Sequence, residues 1–309
     1  MQLSHVYSEL GREAELEAVY LKASELVEKT HGIDPLDEVS IRQRLASFYR
    51  HRQRLEEAAN QYGMIYAAQR ESLGAHHPAA ATTLRHLGQI AEGQERLQDA
   101  TDLYRQAADT VAAGASRTEA MQHAATLCDW ARVLHKGGRL EEARAVYSEA
   151  VERNRATLTP QHPNLATPIT GMALLLEQQG ELDRAEMLAN EALELCSATG
   201  SRTHPNTVPL LELMARIAER RQDWPLAEAL TTALIEAEKK LARPDTLRDV
   251  ARLRQLSGIE VNLGKFRMAL EHCGKAMDLL RYNPAMAERP ELKDLEFERQ
   301  QMLMLAQAE

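Results

Sequence analysis

The chain has 309 residues, of which 15 are Gly and 11 Pro, and only 4% are aromatic. Ala, Leu, Glu, Arg and Gln, all strong helix formers, dominate instead, which argues against an all-β fold. Hydrophobic residues make up 44% and are spread along the whole chain, which argues against long disorder. The net charge of −9 argues against a broad nucleic-acid binder, which carries a basic footprint. The three cysteines, Cys128, Cys196 and Cys273, form no metal-like pair and no disulfide framework, so the expected compartment is the reducing cytoplasm. The opening MQLSHVYSELGREAELEA has no basic stretch leading into an apolar run, and no 18 consecutive apolar residues occur. No signal peptide and no membrane span are expected.

In chain order one short phrase recurs. RLEEA ends at Ala58, RLQDA at Ala100, RLEEA again at Ala143, ELDRA at Ala185, DWPLA at Ala227 and KFRMA at Ala269. The steps are 42, 43, 42, 42 and 42 residues. Four residues after each anchor stand Tyr62, Tyr104, Tyr147, Ala189, Thr231 and Cys273; seven after stand Ile65, Ala107, Ala150, Ala192, Leu234 and Ala276. Sixteen and thirteen residues before it stand apolar pairs, from Leu84/Leu87 to Leu253/Leu256; Arg42/Leu45 breaks the pattern once. Apolar spacing of this kind is helical. A polar or Gly break then separates a first helix from a second, so each period predicts a helical hairpin.

The periodicity divides the chain into a partial repeat 1–31, full repeats 32–74, 75–116, 117–159, 160–201, 202–243 and 244–283, and a capping helix 284–309. Together they are expected to form one solenoid domain. Stepping back 42 residues from Tyr62 lands on Tyr20, which predicts a second helix over 11–30. Leu3 and Tyr7 then fall on half of a first helix. The array is expected to begin in mid-hairpin, as a shortened cap or as a piece of a longer protein. ELKDLEFERQQMLMLAQAE at 291–309 reads as one amphipathic cap over the last apolar face. Pro78, Pro163 and Pro205 open first helices, where a missing N–H costs nothing.

LGAHHP (73–78), LTPQHP (158–163) and GSRTHP (200–205) open repeats, and DWARVLHKGGRLEEARAVYSEAV (129–151) continues one. In these phrases the chain resembles the tetratricopeptide repeat family, in its long, kinesin-light-chain-like form of about 42 residues. The resemblance covers about residues 1 to 283. It implies an all-α superhelix of about six full hairpins, and a protein that binds other proteins. The paired asparagines common on the family's first helices are replaced here by pairs such as Gln43/Arg44, Arg85/His86 and Arg254/Gln255. No ligand specificity is carried over.

Motifs for catalysis are missing. GIEVNLGKF (258–266) has the wrong spacing for a phosphate loop, and Phe266 stands in place of its hydroxyl. His76/His77, His162 and His204 precede helix-opening prolines and read as packing or capping residues. Cys128 beside Asp129 and Trp130 reads as a packed thiol. Glu56/Glu57 and Glu141/Glu142 sit in first turns, where they favour the helix dipole. No enzyme, cofactor or metal is expected.

First helices line the recognition face of stacked hairpins. Counting from the buried pairs, the groove-facing set is Gln43, Ser47, Arg50, Arg85, Gln89, Arg132, His135, Thr170, Glu212, Arg216 and Arg254. Five are arginines, whose planar fork suits carboxylates. The expected function is a non-catalytic protein-interaction scaffold that docks a peptide of acidic character along this groove, as a monomer or weak homo-oligomer, with no membrane and no nucleic acid. Two alternatives stay open. One is a sensory or regulatory module of a larger signalling or transcription regulator. The other is an RNA or phospho-partner binder through the basic segment 42–54.

Overall fold

The computed structural model describes residues 13–29, 35–110, 116–197, 204–240, 245–283, 286 and 289–308. Leu3 and Tyr7 lie outside them. Every regular element among the described residues is helical, and the chain forms two compact units, residues 1–160 and 161–309.

In the first unit, α1 (Glu13–Lys29) precedes three hairpins: α2 (Pro35–His51) with α3 (Leu55–Leu73), α4 (Pro78–Gly93) with α5 (Leu97–Thr110), and α6 (Arg117–Lys136) with α7 (Leu140–Thr157). In the second, a 3-10 turn at Pro163–Leu165 leads into α8 (Ala166–Gln178), paired with α9 (Leu182–Ser197). Then come α10 (Thr207–Arg220) with α11 (Trp224–Lys240), α12 (Thr246–Asn262) with α13 (Phe266–Arg281), and a closing α14 (Pro290–Ala308). Within each unit every helix packs on the one before it.

The three columns read from the anchors form the spine of each hairpin. The anchor alanines are fully buried, and every residue four and seven positions later is at most 4% exposed. Arg42, which breaks the apolar column, is itself buried. Its guanidinium donates to Glu38 Oε1 at 2.6 Å and Gln61 Oε1 at 3.1 Å, so the charge is paired rather than stranded.

One column went unread in the sequence. Twelve residues before each anchor stand Ala46, Gly88, Ala131, Ala173, Ala215 and Ser257. Those with a side chain are at most 1% exposed, and Gly88 lies against the Tyr104 ring. Small side chains there let the two helices of a hairpin approach.

The inter-helix turns share one conformation. Five residues before each anchor the backbone is left-handed: Gln53, Glu95, Gly138, Gly180, Gln222 and Gly264 have φ between 59° and 82°. Half of these positions lack glycine, the residue that adopts this region without steric cost. Gln53→Gly, Glu95→Gly and Gln222→Gly are each expected to raise stability by about 0.5–1 kcal/mol, read from urea denaturation midpoints. A loss of stability in all three would contradict the shared-turn account.

The His-Pro phrases act as caps. His77, His162 and His204 each accept, at Nδ1, a hydrogen bond of 3.2 Å from the backbone N–H two residues on, at Ala79, Asn164 and Asn206. The intervening proline has no N–H to offer, so the imidazole satisfies the first free donor of the turn. Pro78 is the first residue of α4, Pro163 opens the 3-10 turn, and Pro205 sits in the turn before α10.

Candidate functional site

In the first unit, α2, α4 and α6 bring their polar residues onto one face, and the side chains form a connected network. Arg50 Nη1 donates to Gln89 Oε1 at 3.2 Å and lies 3.2 Å from His86 Nδ1. Gln89 Nε2 donates to Asp129 Oδ2 at 3.3 Å, and Arg85 Nε donates to the same oxygen at 2.7 Å. Arg132 donates to Asp129 Oδ1 at 3.0 Å and pairs with Glu92. The network thus holds three arginines and two carboxylates: Arg85 and Arg132 engage Asp129 and Glu92, while among the described residues Arg50 meets a histidine and an amide. Gln43 is exposed on the same helix as Arg50; Ser47 and His135 are half-buried.

His86 stacks on Tyr62 with ring centroids 5.0 Å apart. Burial and then the Arg50 and Arg85 charges hold its pKa below the ordinary value, which favours the neutral ring. Burial also lowers His123 and His204. For all three the unfolded chain binds protons more readily than the native state. Their stability contribution is complete above the ordinary histidine pKa of 6.5 and is lost as pH falls below it. The thermal midpoint is therefore expected to drop on acidification from pH 7.5 to 5.5, with a shallower drop in His86→Asn. An equal slope in the variant would remove His86 from the account.

The second unit answers its arginines with its own carboxylates. Arg216 reaches Glu177 at 3.4 Å and Glu212 at 3.5 Å, and Arg220 reaches Glu177 at 3.0 Å. Arg252 bridges Glu212 at 3.0 Å and Glu238 at 3.4 Å. Arg254 Nε donates to both oxygens of Glu298, at 3.0 and 3.1 Å. Apart from Arg216–Glu212, which lies within α10, and Arg252–Glu238, which joins α12 to α11, these pairs run between neighbouring first helices or onto α14 and tie repeat to repeat. Thr170 does not join this face: it is 4% exposed and its hydroxyl donates to Ala166 O at 2.7 Å. A hydroxyl can close on its own helix backbone, and position on the wheel does not reveal that.

The basic segment 42–54 is partly consumed inside the fold. Arg42 is buried, as described. Arg54 pairs with Glu17 at 2.7 Å and Glu57 at 2.8 Å, and stacks over Tyr49 with its central carbon 4.5 Å from the ring centroid. Arg44 and Arg52 are exposed. Burial pushes the Cys128 thiol up to about 12, the opposite of what a nucleophile needs. Among the described residues no group of three or more His, Cys, Asp or Glu is placed to hold a metal, and no helix is long and apolar enough to cross a membrane.

Helical hairpins at constant period, with a polar face shared by their first helices, define a helical-repeat protein of the kind used as an interaction scaffold. The tetratricopeptide repeat model matches residues 37–111, 122–198 and 169–237, and the chain belongs to that family. No curated protein matches the chain by sequence.

Solved structures with the same fold include nearly identical repeats of a kinesin light chain from Podosopora anserina. That protein is 19% identical, the match covers 64% of this chain and 93% of that one, and the TM-score is 0.54. BtubC (BKLC) from P. vanneervenii is 14% identical over 80% of this chain and 91% of that one, with a TM-score of 0.58. The apo form of RapI is 11% identical over 86% and 99%, with a TM-score of 0.60. At these identities the likeness shows the fold alone.

Proposed function

We propose that this protein is a non-catalytic scaffold that docks an acidic segment of a protein partner on the first-helix face of residues 1–160. The supporting observation is Arg50, whose guanidinium among the described residues meets His86 and Gln89, in a network with more arginines than carboxylates. A partner carboxylate offers it a charge-assisted, two-pronged bond in place of two neutral contacts. The exposed Gln43 and half-buried Ser47 sit on the same helix as further hydrogen-bonding groups. Arg85 and Arg132 contribute positive field, while their direct bonds hold the hairpins in place. A preformed face keeps the ordering cost of docking on the partner's side alone. The reading includes action in the cytoplasm, no cofactor, and a chain that is a monomer or weak homo-oligomer.

The test is fluorescence anisotropy with a labelled dodecapeptide carrying four Glu, added to the full chain. Arg50→Glu is expected to weaken binding at least tenfold, while Glu71→Lys on α3 leaves it unchanged. Equal affinity for wild type and Arg50→Glu would sink the proposal.

A further inference from the structure

In the second unit, an open cleft of about 620 Å³ lies between α12 and α14, against the end of α10 and the start of α11. Its floor is one stripe of α12: Ala251, Arg254, Gly258 and Asn262. Gly258 occupies the row that holds Arg132 and Arg216 in earlier hairpins, eleven residues before the anchor. A Cβ built at Gly258 meets nothing within 4 Å. This row, filled by Gln89, Arg132, Leu174 and Arg216 in the four preceding hairpins, is vacated here and leaves the cleft its depth. Trp224, Leu247, Val250, Ile259 and Leu295 give it apolar walls.

Helix α14 carries further exposed apolar residues, outside the lining of the cleft. The Arg254–Glu298 pair spans 44 residues, as does Arg85–Asp129 between α4 and α6. The pair therefore puts α14 in the register of a next first helix. In that register Phe297, Gln301 and Leu305 continue the rows of Arg254, Gly258 and Asn262, and Met304 continues the row of Glu219. Phe297 is 63%, Met304 67% and Leu305 47% exposed. Three of these four positions, mostly polar in the earlier hairpins, are apolar on the last helix, and Gln301 stays polar. The side of α14 that a following second helix would cover is polar, with Glu296, Arg299 and Gln300 in the packing rows. By register its exposed apolar residues fall on the face that carries Arg254 and Asn262 on α12.

The polar rim is acidic. Glu219 accepts from the Gln255 amide at 2.6 Å, and Glu291 meets Arg289 at 3.5 Å. The one arginine lining the cleft, Arg254, is occupied by Glu298. We propose that this cleft is a second docking site, which takes a bulky apolar side chain of a protein partner flanked by Lys or Arg. The apolar anchor fills the space above Gly258 and packs against Trp224, Leu247 and Leu295. The flanking cation pairs with Glu219 or Glu291. This site is separate from the acidic-segment site: it lies in the other unit and selects the opposite charge.

The test is selection of a random dodecamer phage library on the full chain, followed by titration of the enriched peptides as free synthetic probes. The expected enrichment is Phe, Leu or Met beside Lys or Arg. Gly258→Leu fills the cleft and is expected to weaken these peptides at least tenfold, with no drop in thermal midpoint. Glu291→Lys is expected to weaken them about threefold, and Arg50→Glu to leave them unchanged. The proposal is overturned if no such peptides emerge or if Gly258→Leu binds them equally. It is also overturned if the chain is a dimer that Gly258→Leu converts to monomer, because a second copy then occupies this cleft.

Discussion

Gly88→Leu is expected to destabilise residues 1–160 by about 3 kcal/mol, because overpacking a filled core forces side chains and backbone apart. A Cβ alone at this position falls 2.7 Å from Tyr104 Cε1 and 2.9 Å from Cδ1. The tyrosine cannot move aside, since it is fully buried among Ala91, Ala100 and Val133. Gly258→Ala makes the opposite case on an equivalent first helix. Nothing stands within 4 Å of its Cβ, so the higher helix propensity of alanine is expected to raise stability by about 0.5–1 kcal/mol. Urea denaturation of the two variants checks both signs. A Gly88→Leu protein as stable as wild type would show that the hairpins do not need the small column.

Arg252→Ala is expected to cost about 3 kcal/mol, in the range for removing one partner of a buried ion pair. Glu238 is only 4% exposed and has Arg252 at 3.4 Å and Arg248 at 3.7 Å. Removing Arg252 leaves that carboxylate with the longer contact alone, and also releases Glu212. The double variant Arg252→Met, Glu238→Leu removes both charges and is expected to recover most of the loss, since apolar replacement of a buried pair is often neutral or stabilising. A double variant as unstable as Arg252→Ala would point to lost packing rather than a stranded charge.

The helical hairpins were legible because their signal is periodic. Ala100, Tyr104 and Ala107 recur in register, and a period of 42 survives substitution at any one site. The column containing Gly88 was present in the same register but mixes Ala, Gly and Ser, so it lacks the contrast of an aromatic or a proline. The role of His77 was half visible. Its place before Pro78 suggested packing or a cap, and only the 3.2 Å bond from Ala79 N identifies the cap.

The candidate face was legible as a set of rows but not as a balance of charge. Arg85 and Asp129 lie 44 residues apart, and nothing in either local segment announces that they meet. Sequence counting credited the groove with five arginines. Their partners Glu92, Asp129, Glu177 and Glu298 come from neighbouring helices and occupy four of them, which leaves Arg50 as the distinctive one. Thr170 faces the same way on a helical wheel but is covered in the packed unit.

The most direct measurement of the docking claim is amide hydrogen exchange on the full chain, with and without a saturating four-Glu dodecapeptide. The account predicts slowed exchange in α2 around Arg50 and in α4 around Gln89, with α3 and α5 unchanged. Protection confined to the second helices, or no protection at saturation, would contradict it.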